Sequence, residues 1–216
     1  MKLYSMSASR YGARCLIQIS AKGLDIPVEL ICYPPPASFQ SINPLMLVPV
    51  LDIDGVLLPE AQVICEFLED IEPSPPLRPD GPVLRARMRL LIRLFELYYD
   101  PAARKLYPLL LSNAHQRAEI ANAALVEMNK YLELIAKHLS GEKYAVGGKL
   151  SLADCALMPP FAQARIICPA LNLGDPIREN KIIASYFDAT RTDPHVATVL
   201  DSLERHMAGI RPSSLT

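Results

Sequence analysis

The stretch Asn43-Pro44-Leu45-Met46-Leu47-Val48-Pro49-Val50-Leu51-Asp52-Ile53-Asp54-Gly55-Val56-Leu57-Leu58-Pro59-Glu60-Ala61-Gln62-Val63-Ile64-Cys65-Glu66-Phe67-Leu68-Glu69-Asp70 reads as two strands, a tight turn and a helix. Val48 to Ile53 is apolar and β-branched, Asp54-Gly55 tolerates positive φ in a two-residue hairpin, and Val56 to Leu58 returns antiparallel. Pro59 ends that strand, and Glu60 starts a helix with Val63, Ile64, Phe67, Leu68 and Ile71 at helical spacing. Proline cannot donate to a sheet ladder, so Pro49 belongs at an edge or a bend. A cis Val48-Pro49 bond, only about 0.5 to 1 kcal/mol above trans, satisfies both. It turns the Val48 amide and carbonyl outward, where an extended peptide can take them by strand addition. The alternative is a trans proline that merely opens an edge strand.

Upstream, Lys2 to Ser5 has the beat of a strand and Met6 to Ser9 is a loop. Ala13 to Ala21 places Ala13, Leu16, Ile17 and Ile19 or Ser20 on a helical face, with Gly23 as a left-handed stop. Val28 to Cys32 is a second strand, and Tyr33 to Ser41 is irregular or holds one short helical turn. Strand, helix, parallel strand, hairpin and helix make a thioredoxin-like α/β domain of residues 1–72. Pro73, Pro75, Pro76, Pro79 and Pro82 exclude a regular element, so residues 73–82 form a stiff linker.

Residues 83–216 read as an all-helical second domain. Leu84, Met88, Leu91, Leu94, Phe95 and Tyr98 recur at threes and fours, and Pro101 and Pro108 predict a break near Asp100. Ala121, Leu125, Met128, Leu132, Ile135 and Leu139 form the seam of a helix from His115 to Leu139. Ser151 and Asp154 make an acidic capping box before an apolar central helix from Cys155 to Cys168. Arg178 to Asp188 and Pro194 to Met207 give two more amphipathic helices, with a loose tail after Gly209.

With a hydrophobic share of 50% and a net charge of -1, the chain has neither the composition of a disordered segment nor the charge of a nucleic-acid binder. Cys15, Cys32, Cys65, Cys155 and Cys168 are an odd set without a CxxC pair, the usage of a reducing compartment, so the expected location is cytoplasmic. No long apolar stretch suggests a secretion signal or membrane span. His115, His138, His195 and His206 lack metal-ligand spacing, so no metal site is expected.

Asn43-Pro44, then Val48-Pro49 and Leu51, the short hairpin and the helix opened by an acid resemble the glutathione-binding half of cytosolic glutathione transferases. The opening Met1-Lys2-Leu3-Tyr4-Ser5, with Ser9 and Arg14, is similar to the serine-type classes, zeta and delta among them. The resemblance implies glutathione as co-substrate, a small hydrophobic electrophile as second substrate, and a homodimer. In zeta-type proteins the motif runs Ser-Ser-Cys-Ser-x-Arg; Ser9 to Arg14 keeps the first serine and the arginine but loses the cysteine. That departure points away from a zeta-like isomerase.

Ser9 reads either as a helix N-cap or as a hydroxyl that donates to a bound thiolate. Two pH units of depression from about 8.5, at about 1.4 kcal/mol each, leave a thiol largely anionic at neutral pH. The resemblance assigns Ser9 that second, catalytic role; Ser5, Ser7, Tyr4, Tyr11 and Arg10 are its competitors. For glutathione binding it implies Gln40, Val48, Pro49, Glu60 and Ala61, with amides at the helix start cradling the γ-glutamyl carboxylate. The family usually has serine where this chain has Ala61, so one charge-assisted hydrogen bond, about 1.5 to 3 kcal/mol, is missing. Met6, Arg10, Tyr11, Arg93, Tyr98, Tyr99 and Tyr107 are candidates for the electrophile pocket. The expected activity is attack of the glutathione thiolate on that electrophile. The alternatives are a glutathione-dependent isomerase of the maleylacetoacetate type and a non-catalytic binding protein of the same fold.

Overall fold

The computed structural model describes residues 1–111 and 117–208. His115 and the tail after Gly209 lie outside them. Strand β1 (Lys2–Ser5), helix α1 (Arg10–Lys22) and strand β2 (Val28–Leu30) form a parallel unit, followed by the hairpin β3 (Val50–Ile53) and β4 (Val56–Pro59) and helix α2 (Ala61–Ile71). The sheet order is β2-β1-β3-β4, with β1 parallel to β2 and antiparallel to β3. The hairpin turns at Asp54 (φ 52°) and Gly55 (φ 97°), pairing Ile53 with Val56 as the Asp-Gly signal predicts.

Of the two places open to Pro49, an edge or a bend, the structure has the bend: the Val48-Pro49 bond is cis and β3 is an inner strand, flanked by β1 and β4. Pro49 is tolerated because the ladder begins only at Val50, one residue after it. The helix after the hairpin turns differently from its apolar spacing. Ala61, Ile64, Cys65 and Leu68 are buried, whereas Val63 and Ile71 are exposed.

Pro82, read with the linker, instead opens α3 (Pro82–Leu94), where its missing amide is no loss; then come a π-helical turn (Phe95–Tyr99), α4 (Asp100–Arg104), α5 (Arg117–Ala136), α6 (Leu152–Ala170), α7 (Pro176–Glu179), α8 (Lys181–Arg191) and α9 (Pro194–Ala208). The expected break lies just ahead of Asp100. Pro101 has no amide to give the carbonyl four residues back, and the Asp100 amide bonds Phe95 in the wider turn. In α5 the seam is as read except that Ala124 is buried and Leu125 only half-buried. Helix α6 is buried almost throughout and packs against α1, α3, α8 and α9, so it is the axis of the helical part. The Asp154 carboxylate accepts from the Ser151 amide (2.8 Å) and hydroxyl (2.7 Å), the Ala145 amide (2.7 Å) and the Tyr186 hydroxyl (2.9 Å). Burial outweighs those bonds and pushes its carboxyl up to about 6.

Helix α1 is not the one-faced helix that its apolar spacing suggests. It packs between α2, α6 and α9. Its polar residues Arg10, Arg14, Gln18 and Lys22 follow one another at intervals of four along the helix. The Lys22 ammonium, fully buried, meets the Glu69 carboxylate at 2.7 Å and the carbonyls of Glu72 and Pro75 at 2.6 and 2.9 Å. Glu69 in turn takes the amides of Leu77 and Arg78, while the Leu77 carbonyl accepts from the Leu152 amide. The proline-rich stretch is thus stitched to α1, α2 and the start of α6.

Candidate active site

Strand register decides where the site lies. Tyr4, Val50 and Pro59 sit side by side across β1, β3 and β4. The loop after Ser5, the peptide before Val50 and the residues after Pro59 therefore all leave the sheet at one end. That end gathers Met6 to Ser9, Val48-Pro49 and Glu60-Ala61.

The Val48-Pro49 bond is cis, and among the described residues nothing bonds the Val48 amide or carbonyl. Ser9 caps α1: its side chain accepts from the Gly12 amide at 3.0 Å, and no described residue takes its hydroxyl proton. A side chain at Gly12 would put its Cβ 1.9 Å from Ser5 Oγ, so only glycine lets α1 begin this close to the end of β1. Ser5 is fully buried and Tyr4 packs edge-on against Phe39 under the other face of the sheet, which removes both as rivals of Ser9.

Glu60 is the cap of α2 at φ 74° and ψ 110°, a conformation that costs a non-glycine residue about 1 to 3 kcal/mol. It is exposed and its side chain makes no capping bond, so the first amides of α2 stay open. Ala61 is buried. Gln40 is exposed on a short 3-10 turn (Ala37–Ser41) whose Phe39 is buried.

The residues read as an electrophile pocket do not form one wall. Arg10 and Tyr11 converge on Asp100: Arg10 Nε donates to Asp100 Oδ1 at 2.6 Å and Tyr11 to Oδ2 at 2.9 Å. Arg10 also donates to the Tyr107 hydroxyl, and Tyr107 to Gln163 Oε1. Burial pushes the Tyr107 phenol up to about 12, so it is a neutral donor at working pH. Arg93 is exposed and bonds Glu96 at 3.3 Å, which also holds the buried Arg14 at 2.7 Å. Tyr98 is exposed and stacks on Tyr131, whereas Tyr99 is fully buried between Phe95 and Phe161 and lines no opening. Met6 is half-buried in the loop, its carbonyl accepting from the Ser9 amide. A crevice lined by Arg10, Leu106, Tyr107 and Ala164 holds about 10 Å³, the space of about one water.

Three polar residues that organise this side went unread: Glu96, Asp100 and Gln163. Each carried a signal. Arg10 and Arg14 are four apart, as are Glu96 and Asp100, so two helices crossing with opposite sense can form both pairs at once. Gln163 was marked by being the lone amide in the apolar run from Cys155 to Ala164.

This end of the sheet can bind an extended peptide through Val48, receive a carboxylate at the start of α2 and offer a hydroxyl at Ser9. Residues 3–76 match the glutathione S-transferase N-terminal domain, and residues 98–181 match its C-terminal domain. A maleylacetoacetate isomerase of Mus musculus is 32% identical over 168 residues, 75% of this chain and 77% of that protein. Glutathione S-transferase omega-1 of Sus scrofa is 28% identical over 92% of this chain and 80% of its own length. Among solved structures, the holo form of a bacterial zeta-class maleyl pyruvate isomerase superposes with a TM-score of 0.79 at 22% identity, over 94% of this chain and 98% of that one.

Proposed function

The chain belongs to the glutathione S-transferase family, and from that premise we propose that it is a glutathione-dependent enzyme whose Ser9 stabilises the glutathione thiolate for attack on a hydrophobic electrophile. The observation that carries this reading is the free backbone pair of Val48 at the same end of the sheet as the uncommitted Ser9 hydroxyl proton. Val48 pairs with the cysteinyl backbone of the tripeptide, Glu60 and the Ala61 amide hold its γ-glutamyl end, and Gln40 reaches its glycine end. Ser9 donates to the sulfur while the start of α1 adds its positive end, and both favour the thiolate. The proton lost by the thiol goes to solvent. The electrophile is then bonded to sulfur, by addition or with departure of a leaving group.

Titration of glutathione into the protein, followed by calorimetry and by thiolate absorbance, tests this. Binding with a thiol ionised well below its free range is expected, and Ser9→Ala returns the thiol toward that range. A thiol that titrates alike in both proteins overturns the role of Ser9.

A second reading, isomerisation through reversible addition of the thiol, is favoured by the 32% identity to the mouse isomerase. Isomerisation consumes no glutathione, so product analysis separates the two. A non-catalytic binding protein of the same fold is favoured by Ala61; retention on immobilised glutathione would argue against it. We also propose a homodimer through the α3 and α5 side, where Val83, Leu90, Leu97 and Val126 are exposed; light scattering tests it. A cytoplasmic location is consistent with five free cysteines and with the finding that, among the described residues, no helix is long and apolar enough to cross a membrane.

A further inference from the structure

We propose that Gln163 is a positioning residue for the Ser9 hydroxyl, a clip from the helical domain that holds the backbone before Ser9 and the side chain after it. Its Nε2 donates to the Ala8 carbonyl at 2.7 Å, and its Oε1 accepts from Arg10 Nη1 at 3.2 Å and from the Tyr107 hydroxyl. The residue is only 2% exposed, and from Cys155 to Ala164 every other α6 side chain is apolar or a thiol. An amide left unpaired in such a place costs about 1 to 3 kcal/mol, so its three bonds are held rather than incidental.

The two ends of this one amide grip residues 8 and 10. Arg10 is itself fixed from the far side by Asp100, at 2.5 and 2.6 Å. Ser9 therefore cannot swing away without breaking bonds to α6 or to Asp100. The Ser9 oxygen is occupied by the Gly12 amide, which leaves its proton to point elsewhere. A hydrogen bond weakens steeply as it lengthens and bends, and a donor fixed in advance needs no reorganisation when charge forms on the sulfur. Gln163 thus acts through Ser9 and never touches the tripeptide. The inference rests on the thiolate role of Ser9 proposed above.

The test compares wild type, Ser9→Ala, Gln163→Met and Tyr107→Phe, each checked for folding, by titration of bound glutathione and by the pH profile of turnover. Gln163→Met is expected to raise the pKa of the bound thiol by about one unit, a tenfold change in ionisation, with glutathione affinity within about twofold of wild type. Its loss of turnover should vanish at high pH, where the thiol ionises unaided; a merely structural defect would persist at every pH. Tyr107→Phe, which removes one of the three bonds, should give a smaller rise, and it decides the matter if Gln163→Met does not fold. An unmoved thiol pKa in a folded variant, or a turnover loss of equal size at all pH values, overturns the role of Gln163 while leaving that of Ser9. An unmoved pKa in Ser9→Ala overturns both.

Discussion

The polar row of α1 begins next to Ser9, one of the open groups at the end of the sheet, yet its charged and amide side chains are paired inside the chain and the open groups are not. Arg10, Arg14, Gln18 and Lys22 each meet a carboxylate, at 2.5, 2.7, 3.2 and 2.7 Å, because a buried charge or amide without partners is costly. Val48 and Ser9 are only half-buried, so their unbonded groups stay open at little cost and can exchange water for a ligand. Each of the four α1 side chains has a carboxylate partner although Arg14 Nη2 and Gln18 Oε1 stay unbonded, so pairing of charge rather than full saturation marks the architecture here.

Breaking the paired side should have the largest effect. Glu69→Ala leaves the buried Lys22 ammonium with two carbonyls and strands the amides of Leu77 and Arg78, and should cost about 3 to 5 kcal/mol in denaturant unfolding. A loss below about 1 kcal/mol would mean that water already reaches this seam.

Asp154 tests the same side by pH. Its carboxyl is raised to about 6 in the folded chain and returns to the ordinary value on unfolding, so the native state binds the proton more tightly. Its contribution is therefore intact below about pH 4 and lost as pH rises to about 6, by at most about 3 kcal/mol at about 1.4 kcal/mol per unit. Asp154→Asn should lose that slope, so the stability difference between the two proteins should change between about pH 4 and 6; a parallel pair of curves would refute the assignment.

On the open side, Ser9→Ala should lower turnover at neutral pH about 100-fold, equal to two units of thiol ionisation, and cost about 1 kcal/mol of stability through the lost cap. Loss of stability without loss of turnover would put Ser9 among the architectural residues. The smallest effect belongs to Ala61→Ser, which should tighten glutathione binding about tenfold by adding one charge-assisted hydrogen bond. Unchanged affinity would mean that the backbone alone holds the carboxylate.

Much of the open side was legible in the chain. Asp54-Gly55, Val48-Pro49 and the N-cap at Ser9 are local signals, since each concerns dihedral angles or bonds within about four residues. The inner position of β3 was not, because Pro49 is compatible with an edge or with a strand that starts one residue later. Apolar spacing put Tyr98 on the buried seam and left Tyr99 off it, the reverse of what the structure shows. The π turn puts one at the surface and seals the other in the core.

By itself the sequence determined the elements, their order and the family, through short-range preferences of turns, caps and apolar spacing. The tertiary structure decided which of 23 acidic residues meets which arginine or lysine, that Glu96 and Asp100 face α1, and that Gln163 reaches the loop before Ser9. The reason is physical: partners 82 to 155 positions apart are chosen by how helices cross and by the need to satisfy buried charge, and neither leaves a local mark on the chain.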